Sequence, residues 1–205
     1  MTRDHRNGAV VLREFVETDV AGIARVIGDP RVTRWLSFDA RPPEAAHALV
    51  VGAIEAAARD GDSRVEHYFA VDVPERGTDP VGFVRLGLSG VRAAKLGYAI
   101  AASCQGRGYA TEAVRQALGF AFGALGLHRV SVAIGPDNLA SMRVAAKAGF
   151  VPEGRIRDHV FTNGAWRDSI LYGLLRPDWE AVSRTEPSSA PEPGPPSWNA
   201  DPGIP

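Results

Sequence analysis

Ala93-Ala94-Lys95-Leu96-Gly97-Tyr98-Ala99-Ile100, closed by Gln105-Gly106-Arg107-Gly108-Tyr109-Ala110-Thr111-Glu112-Ala113, is the stretch on which the fold turns. It reads as a strand that ends in a glycine turn and opens straight into an amphipathic helix. Such a junction brings unpaired backbone N–H groups and the positive end of a helix dipole to one point. A pyrophosphate is the ligand that suits this geometry best. The two glycines let the backbone approach an anion with no Cβ in the way. Gln105 is placed to close the turn, and Arg107 to offer a phosphate a charge-assisted contact. A phosphorylated cofactor is expected here; the plain alternative is a helix start that uses glycine for close packing.

Two common nucleotide signatures fail. The dinucleotide fingerprint needs a third glycine where Thr111 stands, and the P-loop ending Gly-Lys-Ser/Thr is absent. Gln-x-x-Gly-x-Ala does fit, and it resembles the pyrophosphate loop of the GNAT acyl-CoA transferases. Asn138-Leu139-Ala140-Ser141-Met142-Arg143-Val144-Ala145-Ala146-Lys147-Ala148-Gly149-Phe150 is similar to that superfamily's second signature. The run from Arg157-Asp158 through Trp166-Arg167-Asp168 to Leu174-Leu175-Arg176-Pro177-Asp178-Trp179 resembles its RimJ/RimL branch.

Working outward, residues 9–14 read as a first strand, and Glu17 or Thr18 opens a short helix ended by Gly28-Asp29-Pro30. Val32 to Phe38 is an apolar stretch, and an alanine-rich helix follows from Pro43 to about Arg59. Strands are expected at Tyr68–Val73, Val81–Leu88 and Leu96–Ile100, then a helix from Tyr109 to about Leu125. Arg129–Ile134 is a further strand. A helix over Asn138–Ala148 is capped by Asp137 or Asn138 and stopped by Gly149. Residues 157–161 and 167–175 flank Thr162-Asn163-Gly164-Ala165, a hairpin signal. Periodicity alone gives an α/β domain, one sheet with helices. The resemblance implies the GNAT (acyl-CoA N-acyltransferase) fold: α/β, with a central mixed, mostly antiparallel sheet splayed after the fourth strand and helices on both faces. The expected division is a flexible N-terminus at 1–8, the acetyltransferase domain at 9–183, and a Pro-rich disordered tail at 184–205 in which Trp198 is a lone solvated aromatic.

Of the 205 residues, 45% are hydrophobic and the net charge is −1, which offers no basic field for nucleic acid or membrane. One cysteine, Cys104, excludes an internal disulfide, and the polar start Met1–Arg6 lacks the apolar core of a signal peptide. A cytoplasmic protein is expected. The five histidines lack metal-ligand spacing, so no metal is expected.

The resemblance implies acetyl-CoA as co-substrate, held by Gln105, Gly106, Arg107, Gly108, Tyr109, Ala110 and Thr111. Asn138, Ser141 and Lys147 would contact it from the second signature. Tyr98, Ala99 and Ile100 would pair with its pantetheine arm, one backbone N–H serving as a single-donor oxyanion hole. The tyrosine that many members place seven residues after the asparagine is Ala145 here. In the RimJ/RimL branch a serine three residues after the asparagine replaces it as acid, and Ser141 occupies that position. The catalytic candidates are thus Ser141 and Tyr98, with helix capping as the ordinary role of Ser141 and Asn138. The glutamate that often precedes the strand's Gly-Tyr is missing, Lys95 and Leu96 standing there. Glu66, His67, Asp158, His159 and Asp168 remain as candidate bases. Cys104 is read as a small buried filler rather than a nucleophile. Trp35, Leu36 and Phe38 fall where the acceptor pocket or the core would be.

The implied activity is acetyl transfer to an amine, on a protein N-terminus or a small molecule, by direct attack in a ternary complex. The rival is a catalytically silent acyl-CoA sensor. Dimers are common in the branch, so a homodimer is the expectation.

Overall fold

The computed structural model describes residues 10–59 and 63–184. The expectations for residues 1–8, the tail beyond 184 and Trp198 lie outside the described residues. A seven-stranded sheet runs in the order β1-β2-β3-β4-β5-β7-β6. Its strands are β1 (Val11–Arg13), β2 (Glu66–Asp72), β3 (Gly82–Leu88), β4 (Ala93–Ile100), β5 (Arg129–Ile134), β6 (Val151–Thr162) and β7 (Ala165–Leu175). All neighbours are antiparallel except β4 and β5.

That one parallel pair decides the shape. It joins only Ala93, Ala94 and Lys95 to Arg129, Val130 and Ser131. From Leu96 onward β4 stays paired with β3 alone, so the sheet opens between β4 and β5. The expected splay is present, and β4 starts three residues earlier than the shorter expected strand.

One face of the sheet is covered by α4 (Tyr109–Gly119) and α5 (Leu139–Lys147). Ala113, Val114, Ala117 and Leu118 lie along one stripe of α4 and are buried against Val84, Leu86, Val130 and Leu174. Alanine at successive turns, Ala113 and Ala117, lets the helix backbone approach the strands closely. The other face carries α1 (Val20–Ile27), α2 (Pro30–Thr33) and α3 (Pro43–Ala57). Ile23, Ile27, Ala46 and Val50 pack there on Ala70, Phe83 and Ala99. The last helix is α6 (Arg176–Arg184), whose Trp179 stacks on Phe122 with ring centroids 5.3 Å apart.

Three local differences have physical causes. The helix expected to run to Leu125 changes at Phe120–Ala124 into a π-helical turn, where the Leu125 N–H reaches back to the Phe120 carbonyl at 3.1 Å. The apolar period continues through it, so the sequence pattern carries no mark of the change. Strand β6 begins at Val151, well before the expected residue 157. Pro152 and Gly154 look like turn residues, but β6 is an edge strand, and its register shifts at Pro152/Gly154 and Ile156/Val160 are bulges that accommodate them. The first helix is preceded by a short 3₁₀ turn, Glu17–Asp19. Asp19, 1% exposed, accepts from the Val16 N–H at 2.9 Å and takes both terminal nitrogens of Arg13 at 2.7 Å.

The hairpin and cap follow the sequence. Asn163 and Gly164 both have positive φ, 53° and 72°, as a two-residue primed turn between paired Thr162 and Ala165 requires. Asn138, not Asp137, caps α5: its side chain accepts from the Ser141 N–H at 3.1 Å. Gly149 follows the helix with φ 91°.

Candidate active site

The opening between β4 and β5 is the centre of a cavity of about 1220 Å³. Its first wall is main chain. The ladder bonds Ala101 N–H to Val81 C=O and Ser89 N–H to Ala93 C=O fix the alternation along β4. Odd-numbered residues, Ala99 included, turn their backbone groups to β3. Tyr98 and Ile100 turn theirs the other way, into the opening. Of the three strand residues expected to meet a ligand through the backbone, Tyr98 and Ile100 are so placed, while Ala99 is engaged in the sheet.

The chain then bends, and the Gln105 amide nitrogen donates to the Ile100 carbonyl at 2.9 Å, closing the loop. That bond consumes the carbonyl of Ile100 and leaves its N–H facing the cavity. Gly106 and Gly108 stand at φ 75° and 85°, left-handed conformations that side chains strain to adopt. Gly108 is the residue before α4, so the N–H groups of Tyr109, Ala110 and Thr111 emerge from the first turn without intrahelical partners. Gln105, Gly106, Gly108, Tyr109, Ala110 and Thr111 all line the cavity. Arg107 is exposed and lies outside the lining.

Helix α5 supplies Asn138, Ser141, Val144 and Lys147 on the side that meets the cavity. Asn138 spends its carbonyl oxygen on the cap and retains its amide NH₂. The Ser141 hydroxyl lies 2.6 Å from the Tyr98 phenol oxygen. Burial pushes that phenol up to about 12. Lys147 is exposed, and its carbonyl accepts from Arg115 at 3.0 Å. Ala145 is buried at 3% and outside the lining. Cys104, 8% exposed, belongs to the core and also touches the cavity floor.

The opposite wall is built of side chains. Trp35 and Leu36 follow α2 and line the cavity, whereas Phe38 packs on the core beneath α1 and α3. Arg167 of β7 holds this segment down: it donates to the Arg34 carbonyl, to the Leu36 carbonyl at 3.0 Å and to the Thr162 hydroxyl. Arg85 stands on β3 opposite Gly97 and binds Glu66 at 2.6 Å.

The five candidate bases separate cleanly. His67 is 4% exposed and faces the Phe120 ring at 5.3 Å, in the core and away from the cavity. Desolvation lowers its pKa. Glu66 is tied to Arg85, and neither it nor Asp158 lines the cavity. Asp168 lines it, but its carboxylate accepts from the Asp158 N–H at 2.9 Å and from Arg155 at 2.6 Å, which together hold it below the usual carboxylate range. His159 lines the cavity with its Nδ1 3.0 Å from the Ser169 hydroxyl, and Ser169 is 4% exposed. Among the described residues no group of three or more His, Cys, Asp or Glu is gathered as metal ligands, and no helix is long and apolar enough to cross a membrane.

Sequence reasoning missed the Tyr98–Ser141 contact, the Arg167 clamp and Arg85. Arg85 had a signal, a charge in the middle of the apolar run Gly82-Phe83-Val84-Arg85-Leu86. The other two join distant segments and leave none.

A family model for the acetyltransferase (GNAT) domain matches residues 9–151. The chain is 43% identical over 90 residues to a probable N-acetyltransferase, YjcK, of Bacillus subtilis, covering 44% of this chain and 50% of that one. It is 36% identical over 84 residues to the [ribosomal protein uS5]-alanine N-acetyltransferase of Escherichia coli, covering 41% and 43%. These matches span about half the length of the curated relatives. Mycobacterium smegmatis RimJ, solved in complex with CoA-disulfide, superposes with a TM-score of 0.69 at 25% identity over 87% of this chain and 91% of that one.

Proposed function

The chain belongs to the GNAT acetyltransferase family, and on that premise we propose that it transfers the acetyl group of acetyl-CoA to a primary amine. The observation that carries the reading is the continuity of one cavity along the open edge of β4, past the loop at Gln105–Gly108, to the bare N-terminus of α4. An extended molecule with an amide-rich arm and a diphosphate matches that edge and that terminus in order. The diphosphate would sit on the N–H groups of Tyr109, Ala110 and Thr111, and the arm along Tyr98 and Ile100 and against Asn138. Lys147 would add a cation near the phosphates.

At the reacting end, attack of the neutral amine on the thioester carbonyl carbon forms the carbon–nitrogen bond and releases the sulfur with its electron pair. The N–H of Tyr98 or Ile100 would stabilise negative charge on the carbonyl oxygen. Ser141 is the candidate hydrogen-bond donor to the departing sulfur. His159, the candidate base that lines the cavity without an ion pair, accepts the amine's proton directly or through water. The acceptor is read as a protein N-terminus, in keeping with the uS5-alanine enzyme among the relatives, or a small amine; the cytoplasm is the expected setting.

Mass spectrometry of a panel of N-terminal peptides and small amines incubated with acetyl-CoA and the protein tests this reading. A mass gain of one acetyl group is the expected result. Calorimetric binding of acetyl-CoA with no amine acetylated would favour the sensor instead.

A further inference from the structure

Tyr98 and Ser141 lie 43 positions apart in sequence, yet their oxygens meet at 2.6 Å across the cavity from β4 to α5. Either hydroxyl can donate in this contact; a phenol is a stronger acid than an aliphatic alcohol, which favours the arrangement in which the Tyr98 O–H donates and the Ser141 oxygen accepts. With its pKa pushed up to about 12, the phenol keeps its proton throughout the neutral range. Ser141 is thereby fixed twice, through its backbone N–H on Asn138 at 3.1 Å and through its oxygen on Tyr98. In that arrangement the serine's own hydroxyl hydrogen is left to point toward the cavity that Ser141 lines. One turn further along α5, Ala145 is buried away from the cavity and offers no substitute donor.

We propose that Tyr98 is the positioning residue for Ser141, its phenol holding the serine oxygen so that the serine hydrogen is presented to the sulfur leaving group. The inference rests on the acetyl-transfer reading. As the carbon–sulfur bond breaks, the sulfur keeps the electron pair and receives the Ser141 hydrogen bond. The amine's proton goes to His159 and the departing sulfur takes its proton from solvent, so that Tyr98 and Ser141 retain their own. Ionised Tyr98 would do the opposite: it would draw the serine hydrogen to itself and away from the sulfur.

The test compares the full chain with Tyr98→Phe, Ser141→Ala and the double variant over a range of acetyl-CoA concentrations up to saturation. Tyr98→Phe is expected to lower kcat about tenfold, the worth of one hydrogen bond, with KM for acetyl-CoA unchanged. The double variant is expected to be no slower than Ser141→Ala alone. Full activity in Tyr98→Phe, or additive losses in the double variant, would overturn the proposal. A fluorinated tyrosine at position 98 preserves shape while ionising at lower pH, and it needs no change of fold. It is expected to bring a falling limb of kcat down to lower pH; an unmoved limb would overturn the proposal independently. A wild-type chain that acetylates no amine removes the transferase reading and this one together. An active wild type indifferent to all three changes removes this one alone.

Discussion

The wall of the cleft made by Tyr98 to Thr111 is main chain from one continuous segment, whereas the wall facing it consists of side chains from segments as distant as Trp35 and Asp168. The first is held by the β3–β4 ladder and one side-chain bond, Gln105 to Ile100. The second is held by Arg167, which reaches two carbonyls and a hydroxyl from the far hairpin. A ligand shared by many proteins suits the first kind of wall, since backbone groups recur whatever the residue. A ligand particular to one protein suits the second, because each residue there can vary alone. On the proposed function, cofactor recognition falls to the one and acceptor recognition to the other.

Breaking the main-chain wall has the largest expected effect. Gly108→Glu forces a side chain into φ 85° and sets a carboxylate at the helix N-terminus where a diphosphate is to bind. Strain and repulsion together cost about 2–3 kcal/mol, roughly a hundredfold in Kd for acetyl-CoA by calorimetry. An unchanged Kd would remove the loop from the binding site. Arg167→Ala comes next and sharpens the division of labour. It frees the Arg34–Leu36 segment and is expected to raise KM for the amine about tenfold while leaving Kd for acetyl-CoA unaltered. Loss of its charged hydrogen bonds destabilises the fold by about 1.5–3 kcal/mol in denaturant unfolding. Equal losses of both ligands would show that the two walls act as one.

The smallest effect concerns acid. The Asp168 carboxyl is held low by the Asp158 N–H first and Arg155 second. Its support of the β6–β7 bulge is therefore present above the ordinary carboxylate value of 3.8 and lost as pH falls through the lower folded value. Asp168→Asn is expected to flatten that acid limb by slightly lowering the neutral-pH plateau, with little change below the folded value. A limb that persists in the variant would assign it to another carboxylate.

How much was legible follows the same division. Gln105 to Thr111 and Asn163-Gly164 could be read because all the information sits within a few neighbouring residues, as positive φ at the glycines and Asn163 attests. The strand edge and the family's two signatures were contiguous for the same reason. Strand β6 was half hidden because an edge strand tolerates Pro152 and Gly154, residues that elsewhere end strands. The π-helical turn at Phe120–Ala124 was invisible because backbone register changes there without a break in the apolar pattern. Tyr98 was singled out for its backbone, but its phenol gains a role only when α5 is folded against β4. The Arg167 clamp, which reaches Leu36 across 131 positions, shares that dependence on long-range contact.

The opening of the sheet past Lys95 also bears on how such a protein can change over generations. The N–H groups that Tyr98 and Ile100 turn toward the opening survive nearly every substitution at those positions, since only proline lacks one. Residues of the opposite wall can therefore drift, one at a time, without disturbing the backbone groups that line the opening. A lineage built on this frame is free to acquire new acceptors while the reaction it inherits stays in place.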